Sequence, residues 1–221
     1  MSDSEVAKFY EVELVKYNMS LIKFLHNNVL YGIVRNQKCS TTTMMSYVAQ
    51  ALWNADPQEM QSWGSFESNA PGVYIKRPYF KNYERELLEC DIRIALWRDP
   101  VDKFVAGFYH TMFHPGGAND NLWLGSDRSL DSFIDRFDYY SQNPNVQDHC
   151  QTNTARLGDT KHIYTHVFHY KEVRKIADML GVSSERLHHR KSVERPPLTL
   201  DQIDLIENII EEDIFNGWSQ Y

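Results

Sequence analysis

The stretch Val29–Trp53, VLYGIVRNQKCSTTTMMSYVAQALW, joins an apolar run to an amphipathic segment through a polar loop. The run Val29–Val34 has the length and apolarity of a buried strand. Apolar side chains then recur at helical spacing, which predicts a helix over Thr42–Trp53. One lysine, one serine and three threonines therefore stand where a strand ends and a helix begins.

Strand and helix signals continue to alternate along the chain. Asp91–Trp97 predicts a second buried strand, and Asp99 and Pro100 suit the N-cap and first position of the helix after it. Further predicted elements are a strand at 162–170, helices at 82–90, 130–139, 147–157, 171–180 (stopped by Gly181) and 198–218 (capped by Thr199), and an N-terminal helical segment at 1–28. This order predicts an α/β fold: a single domain over residues 1–221, with a mainly parallel sheet flanked by helices.

The composition limits the function classes. The chain has 221 residues, of which 42% are hydrophobic, and three widely spaced cysteines, which predicts a globular domain with reduced thiols. A formal net charge of −7 disfavours a broad nucleic-acid-binding face. The first residues are charged and no stretch approaches the roughly 20 apolar residues of a membrane span. We therefore expect a soluble, cytoplasmic protein that binds neither nucleic acid nor membrane.

The loop before the first helix has the chemistry of an anion site. A helix N-terminus offers unpaired N–H groups and a partial positive charge, which bind phosphate. Ser40 and Thr41–Thr43 add hydroxyl donors, and Lys38 adds a full charge. The Walker A pattern is absent, since no glycine lies between Arg35 and Trp53, so a Mg-dependent NTPase is disfavoured. The alternative is an ordinary Ser/Thr helix cap beside a solvated lysine.

Arg98 ends the second predicted strand, directly before a capped helix. Ligands of α/β proteins bind at the carboxyl ends of parallel strands, and a guanidinium suits bidentate phosphate binding. The alternative is a structural ion pair of Arg98 with Asp99 or Asp102.

Together, QKCSTTTM (37–44) and RDPVDKFVAGFY (98–109) resemble the two nucleotide-binding motifs of the PAPS-dependent sulfotransferases, especially the carbohydrate-type, sulfotransferase family 2-like branch. Weaker resemblance continues through HCQTNTARLG (149–158), YTHVFHYKEV (164–173) and LTLDQIDLIENIIEEDIF (198–215). The resemblance implies a P-loop-NTPase-like sulfotransferase fold. It also implies 3′-phosphoadenosine-5′-phosphosulfate (PAPS) as sulfuryl donor, adenosine 3′,5′-bisphosphate (PAP) as product, and no metal.

The resemblance also implies roles for single residues. Lys38 would contact the bridging and 5′ oxygens of the donor, the segment Cys39–Thr43 would bind the 5′-phosphate, and Arg98 the 3′-phosphate. The cofactor-binding residues of that segment are Cys39, Ser40, Thr41, Thr42 and Thr43. The family's serine eight residues after the arginine is Ala106 here, and its second arginine is Lys103. Candidate replacements late in the chain are Arg190, Lys191 and Ser192.

The reaction so implied is an in-line sulfuryl transfer, helped by positioning and by charge stabilisation at the leaving phosphate. Lys38 is its first catalytic candidate. The acceptor hydroxyl needs a general base, for which His114 and His149 stand ahead of His110, Glu84 and Glu86. Residues 112–147 are expected to form an acceptor-binding loop and helix insertion, with Trp123, Tyr139 and Tyr140 available to stack on a saccharide. The alternative for these aromatic residues is core packing or anchoring of the loop.

Two other functions compete with this interpretation. A non-catalytic PAP- or PAPS-binding module would fit the missing serine at position 106 and the unidentified base. A metal enzyme would use His162, His166 and His169, with His188 and His189. Strand alternation places His169 on the opposite face from the other two histidines of its strand, which disfavours a shared metal.

Overall fold

The computed structural model of the chain describes residues 21–54, 74–76, 83–113, 127–184 and 195–218. Its strands are β1 (Leu21–His26), β2 (Val29–Val34), β3 (Tyr74–Lys76), β4 (Ile92–Trp97) and β5 (His166–His169). Its α-helices are α1 (Thr41–Trp53), α2 (Glu84–Leu88), α3 (Pro100–Phe113), α4 (Leu130–Asp135), α5 (Phe137–Tyr140), α6 (Pro144–Cys150), α7 (Asn153–Leu157), α8 (Arg174–Leu180), α9 (Leu200–Ile209) and α10 (Glu211–Phe215). A 3₁₀ turn, Tyr170–Glu172, follows β5.

The described residues fall into two compact units: unit 1 within 1–97 and 156–191, and unit 2 within 98–155 and 192–221. Unit 1 contains one five-stranded sheet in the order β3-β1-β2-β4-β5. Strands β2, β4 and β5 are parallel, as predicted, whereas β1 pairs antiparallel with both β2 and β3. The α/β class is therefore confirmed. The sheet is mixed but mostly parallel, since β1 runs against the common direction of β2, β3, β4 and β5.

Strand β1 corrects the prediction of an N-terminal helical segment at 1–28, since Leu21–His26 is extended; residues 1–20 lie outside the described residues. The reason is the turn that follows. Asn27 and Asn28 have φ values of 49° and 61°, and His26 pairs with Val29. Two left-handed residues in a two-residue connection make the type I′ hairpin turn that asparagine favours. This turn pairs β1 with β2 along their whole length and buries Leu21, Ile22 and Phe24.

Both faces of the sheet in unit 1 are covered. On one face, Ile22, Ile33, Ile94 and Leu96 form a buried core with residues of α1 and α8. On the other face, a Cβ at Gly32 would lie 2.8 Å from Cys90 Sγ and 3.0 Å from Leu87 Cδ1. The glycine in VLYGIV thus allows the end of α2 to approach the centre of β2 closely.

Unit 2 is helical, with a core of its own. The close packing of α3 on α6 occurs at Gly107, where a Cβ would lie 2.5 Å from the carbonyl oxygen of His149. The buried apolar residues are Phe104, Val105, Phe108, Met112, Phe133, Ile134, Tyr140, Val146, Cys150, Ile206 and Ile210. Tyr140, a predicted stacking residue, belongs to this core, whereas Tyr139 is 55% exposed.

Several predicted elements are shorter in the structure. The helices predicted at 130–139, 147–157 and 198–218 are each divided in two, with breaks at Arg136, Gln151–Thr152 and Ile210. The strand predicted at 162–170 is confined to β5. The proposed insertion 112–147 contains α4, α5 and the start of α6, and its residues 114–126 lie outside the described ranges. All three cysteines are buried, reduced thiols. In the described ranges, none of the helices is sufficiently long and apolar to cross a membrane.

Candidate functional site

The loop between β2 and α1 lies at the carboxyl edge of the parallel strands. The buried side chain of Asn36 donates its Nδ2–H to the carbonyl oxygen of Leu96 in β4 (3.1 Å). The hydroxyl of Ser40 donates to the carbonyl oxygen of Tyr170, directly after β5 (3.1 Å). The loop is therefore bonded to the carboxyl ends of both neighbouring parallel strands, the edge at which α/β proteins bind ligands.

Asn36 also organises the loop from inside. Its carbonyl oxygen accepts from the Cys39 N–H (3.2 Å) and from the Thr41 hydroxyl (3.0 Å). Lys38 and Ser40 have positive φ values of 63° and 58°, although neither is glycine. Left-handed residues next to right-handed ones are also a feature of anion-binding nests. The loop thus adopts left-handed backbone at two positions without a glycine.

Helix α1 begins at this loop without a side-chain cap. Ser40 is the N-cap residue, yet its hydroxyl accepts no hydrogen bond from the first turn, because its left-handed backbone directs it to Tyr170. The first four N–H groups of a helix have no intrahelical partner, and the first turn of α1 contains no acidic residue. The start of this 13-residue helix is therefore an electropositive group of N–H donors.

The structure divides the predicted hydroxyl ligands into two pairs. A hydroxyl has a single O–H to donate, and a phosphate only accepts. Ser40 and Thr41 already donate theirs to Tyr170 and Asn36 carbonyls. The Thr42 and Thr43 hydroxyls are half-buried and bond to none of the described residues. The first-turn amides and the hydroxyls of Thr42 and Thr43 are hence donors that an anion could use, and the half-buried Lys38 precedes them in the loop.

Cys39, also predicted to bind the donor, has its side chain in the core of unit 1. That side chain is completely buried, and the Cys39 N–H is bonded to Asn36. Its neighbours Lys38 and Ser40 are only half-buried. The Cys39 thiol therefore helps to anchor the loop to the core of unit 1, and its part in donor binding stays a prediction.

Arg98 begins unit 2 and forms the ion pair that the sequence left open. Its Nε and Nη2 lie 3.3 and 3.2 Å from Asp102 Oδ2. Asp99 caps α3 as predicted, accepting from the Asp102 N–H at 3.0 Å. The two other positions that the resemblance assigns to the 3′-phosphate are buried: Lys103 donates its Nζ–H to the carbonyl oxygen of Gln151, and Ala106 lies in the core of unit 2.

His149 is almost completely buried, and its ring centroid lies 4.0 Å from that of His110. This contact joins α3 to α6 and places two of the candidate bases side by side within unit 2. Of the remaining candidates, Glu84 is exposed on α2. His114, Trp123, His188, His189, Arg190, Lys191 and Ser192 lie outside the described residues, so their assignments stay predictions.

The histidines of the metal alternative are engaged otherwise. His169 caps the 3₁₀ turn: its side chain accepts from the Glu172 N–H, and its ring centroid lies 4.9 Å from that of Trp97. His166 Nδ1 lies 2.9 Å from the Thr165 hydroxyl. In the part of the chain that the structure describes, no three His, Cys, Asp or Glu side chains are grouped to hold a metal ion.

Comparisons of the chain with protein-family models, with curated proteins and with solved structures find no match. The resemblance to the sulfotransferases accordingly depends on the motifs quoted above.

The sequence did not single out two residues that shape the site. Asn36 bridges the loop to β4, and Tyr170 supplies the carbonyl that binds Ser40. One feature of the sequence could have indicated Asn36: it lies two residues after the end of a buried strand. Tyr170 contributes a backbone atom, for which no side-chain pattern exists.

Proposed function

We propose that the protein is a PAPS-dependent sulfotransferase, which moves a sulfuryl group from PAPS to a hydroxyl acceptor by in-line displacement. One observation carries the proposal: the uncapped, cation-bearing start of α1 follows a left-handed loop at the carboxyl edge of β2. The donor set there consists of N–H groups, hydroxyls and one ammonium, which suits a phosphosulfate. Within the described loop and first turn of α1, no acidic side chain accompanies these donors.

In this proposal the chain contributes positioning and charge. The first-turn amides of α1, Thr42 and Thr43 bind the 5′-phosphate, and Lys38 stabilises the negative charge that develops on it as the sulfuryl group departs. Because these dipoles are held by Asn36 and Tyr170 before any ligand arrives, little reorganisation accompanies the reaction. Arg98 keeps the role of 3′-phosphate ligand that the resemblance implies. The acceptor, for which a saccharide is our expectation, is deprotonated by a base still to be identified.

A non-catalytic PAP-binding module is the second candidate. It fits the general base that is still unassigned, since a binding module needs none, whereas the described histidine candidates His110 and His149 pack against each other within unit 2. Such a module would bind PAP and PAPS but release no PAP from PAPS when saccharides are offered.

The first test is thermal unfolding with PAP, 5′-AMP or ATP. A ligand at 100 times its dissociation constant adds about 2.7 kcal/mol to the unfolding free energy, or roughly 5–10 °C in Tm for a chain of this size. We expect this rise with PAP and a smaller one with 5′-AMP. Lys38→Ala should abolish it, whereas the matched control Lys171→Ala, an exposed lysine beside Tyr170, should keep it. Equal shifts with all three nucleotides, or none with millimolar PAP, would contradict the proposal.

A further inference from the structure

Residues from two segments far from the β2–α1 loop in the sequence, 149–158 and 198–215, meet inside unit 2. Asp213, in α10, is fully buried, and its carboxylate accepts from the N–H groups of Asn153 (2.7 Å) and Thr154 (2.6 Å). A further hydrogen bond lies beside these two: the Thr154 hydroxyl donates to the Glu212 carbonyl oxygen (3.3 Å). The segments HCQTNTARLG and LTLDQIDLIENIIEEDIF therefore form one hydrogen-bonded junction.

A buried carboxylate is costly unless hydrogen bonds replace its water. The two short N–H···O⁻ contacts to Asp213 are charge-assisted and stronger than neutral ones. They fix the backbone of Asn153 and Thr154 at the residues that begin α7. Asn153 itself is fully buried, so its side chain is held in place by its surroundings as well.

The side chain of Asn153 ends at the start of α3. Its Nδ2–H donates to the carbonyl oxygen of Arg98 at 3.0 Å. The guanidinium of Arg98 is held separately by Asp102. The backbone and the side chain of Arg98 are thus held by different residues. Asn153, which binds the backbone, is itself bonded to the carboxylate of Asp213.

We propose that Asn153 is a positioning residue for Arg98, and that Asp213 acts through it. This inference rests on the proposed function, in which Arg98 reads the 3′-phosphate. A guanidinium binds phosphate bidentately only within a narrow geometry, so a shift of the Arg98 backbone weakens that contact. The junction therefore determines how well the site distinguishes a 3′-phosphorylated nucleotide from one without that group.

The test is the ratio of two dissociation constants, 5′-AMP over PAP, measured by calorimetry on the full chain. We expect a ratio above ten for the wild type and near one for Arg98→Ala. Asn153→Ala should lower the ratio at least fivefold. Asp213→Asn should lower it by less, because a carboxamide keeps one acceptor oxygen for the two N–H groups.

Thr199→Ala is the matched control. It removes the capping box of α9, destabilising the same unit without contacting Arg98, and should leave the ratio unchanged. If Asn153→Ala does not fold, Asp213→Asn provides the comparison with Thr199→Ala. A wild-type ratio near one would overturn the role of Arg98 in the proposed function, and this inference with it. A wild-type ratio above ten that both junction variants keep within twofold would overturn this inference alone.

Discussion

If Ser40 serves the loop architecture rather than the ligand, Ser40→Ala should destabilise the protein more than Ser40→Gly. Ser40 has φ 58° and ψ 30°, and its hydroxyl bonds to Tyr170. Ser40→Ala removes a hydrogen bond worth about 1 kcal/mol and keeps the left-handed backbone. Ser40→Gly removes the same bond but relieves a strain of roughly 1–2 kcal/mol, against an entropic cost of about 0.5–1 kcal/mol.

The expected result is a loss of about 1 kcal/mol for Ser40→Ala and less than about 0.5 kcal/mol for Ser40→Gly. Urea unfolding measures this difference directly, and thermal unfolding should show about 1–4 °C between the variants. Calorimetric titration with PAP gives the functional half of the test. Since the single O–H of Ser40 is donated to Tyr170, Ser40→Gly should bind PAP within threefold of the wild type.

Thr43→Ala is the contrasting variant. Its hydroxyl lies in the first turn of α1 and bonds to none of the described residues, so its loss should weaken PAP binding about tenfold at little cost in stability. If Ser40→Gly lost PAP affinity as strongly as Thr43→Ala while remaining stable, the Ser40 hydroxyl would be a ligand. If Ser40→Gly were as unstable as Ser40→Ala, the strain argument would fail.

Three further predictions concern other parts of the chain. Gly107→Ala should lower the unfolding free energy by about 1–3 kcal/mol in urea, since its Cβ would lie 2.5 Å from the His149 carbonyl oxygen; unchanged stability would contradict the close packing. Burial raises the pKa of Cys90 to about 11, so the stability that its neutral thiol contributes is complete below pH 9 and declines as pH rises towards 11. Cys90→Ala should therefore flatten the decline of Tm with pH. An equally steep decline of Tm in the variant would refute this prediction. The hydrogen bond from Lys175 lowers the pKa of Glu172 below its ordinary 4.5. The stability that ionised Glu172 contributes is therefore present above pH 4.5 and lost as pH falls through the lowered pKa. Glu172→Gln should remove this loss of Tm at acid pH, and an unchanged fall of Tm in the variant would contradict the prediction.

Local signals in the sequence located the central elements because their causes are local. The apolar run before RNQKCSTTT, the Asp99–Pro100 start of α3, the Thr199 capping box and the left-handed Gly181 after α8 each depend on residues within a few positions. The helix predicted over the residues of β1 was wrong, and the reason lies in its sequence pattern. Its apolar residues fit a helical period as well as an extended one, and the deciding signal was the Asn27–Asn28 turn that follows it.

The sequence by itself determined that a lysine and a group of hydroxyls precede the first helix, and hence that an anion site was the leading hypothesis. Only the tertiary structure decided which hydroxyls remain available, because the carbonyl that binds Ser40 belongs to Tyr170, 130 positions later in the chain. The same holds for Arg98, whose carbonyl is bound by Asn153, 55 positions away. Spacing along a chain predicts which donors and acceptors exist, but packing brings distant backbone groups together and so decides how those donors are used.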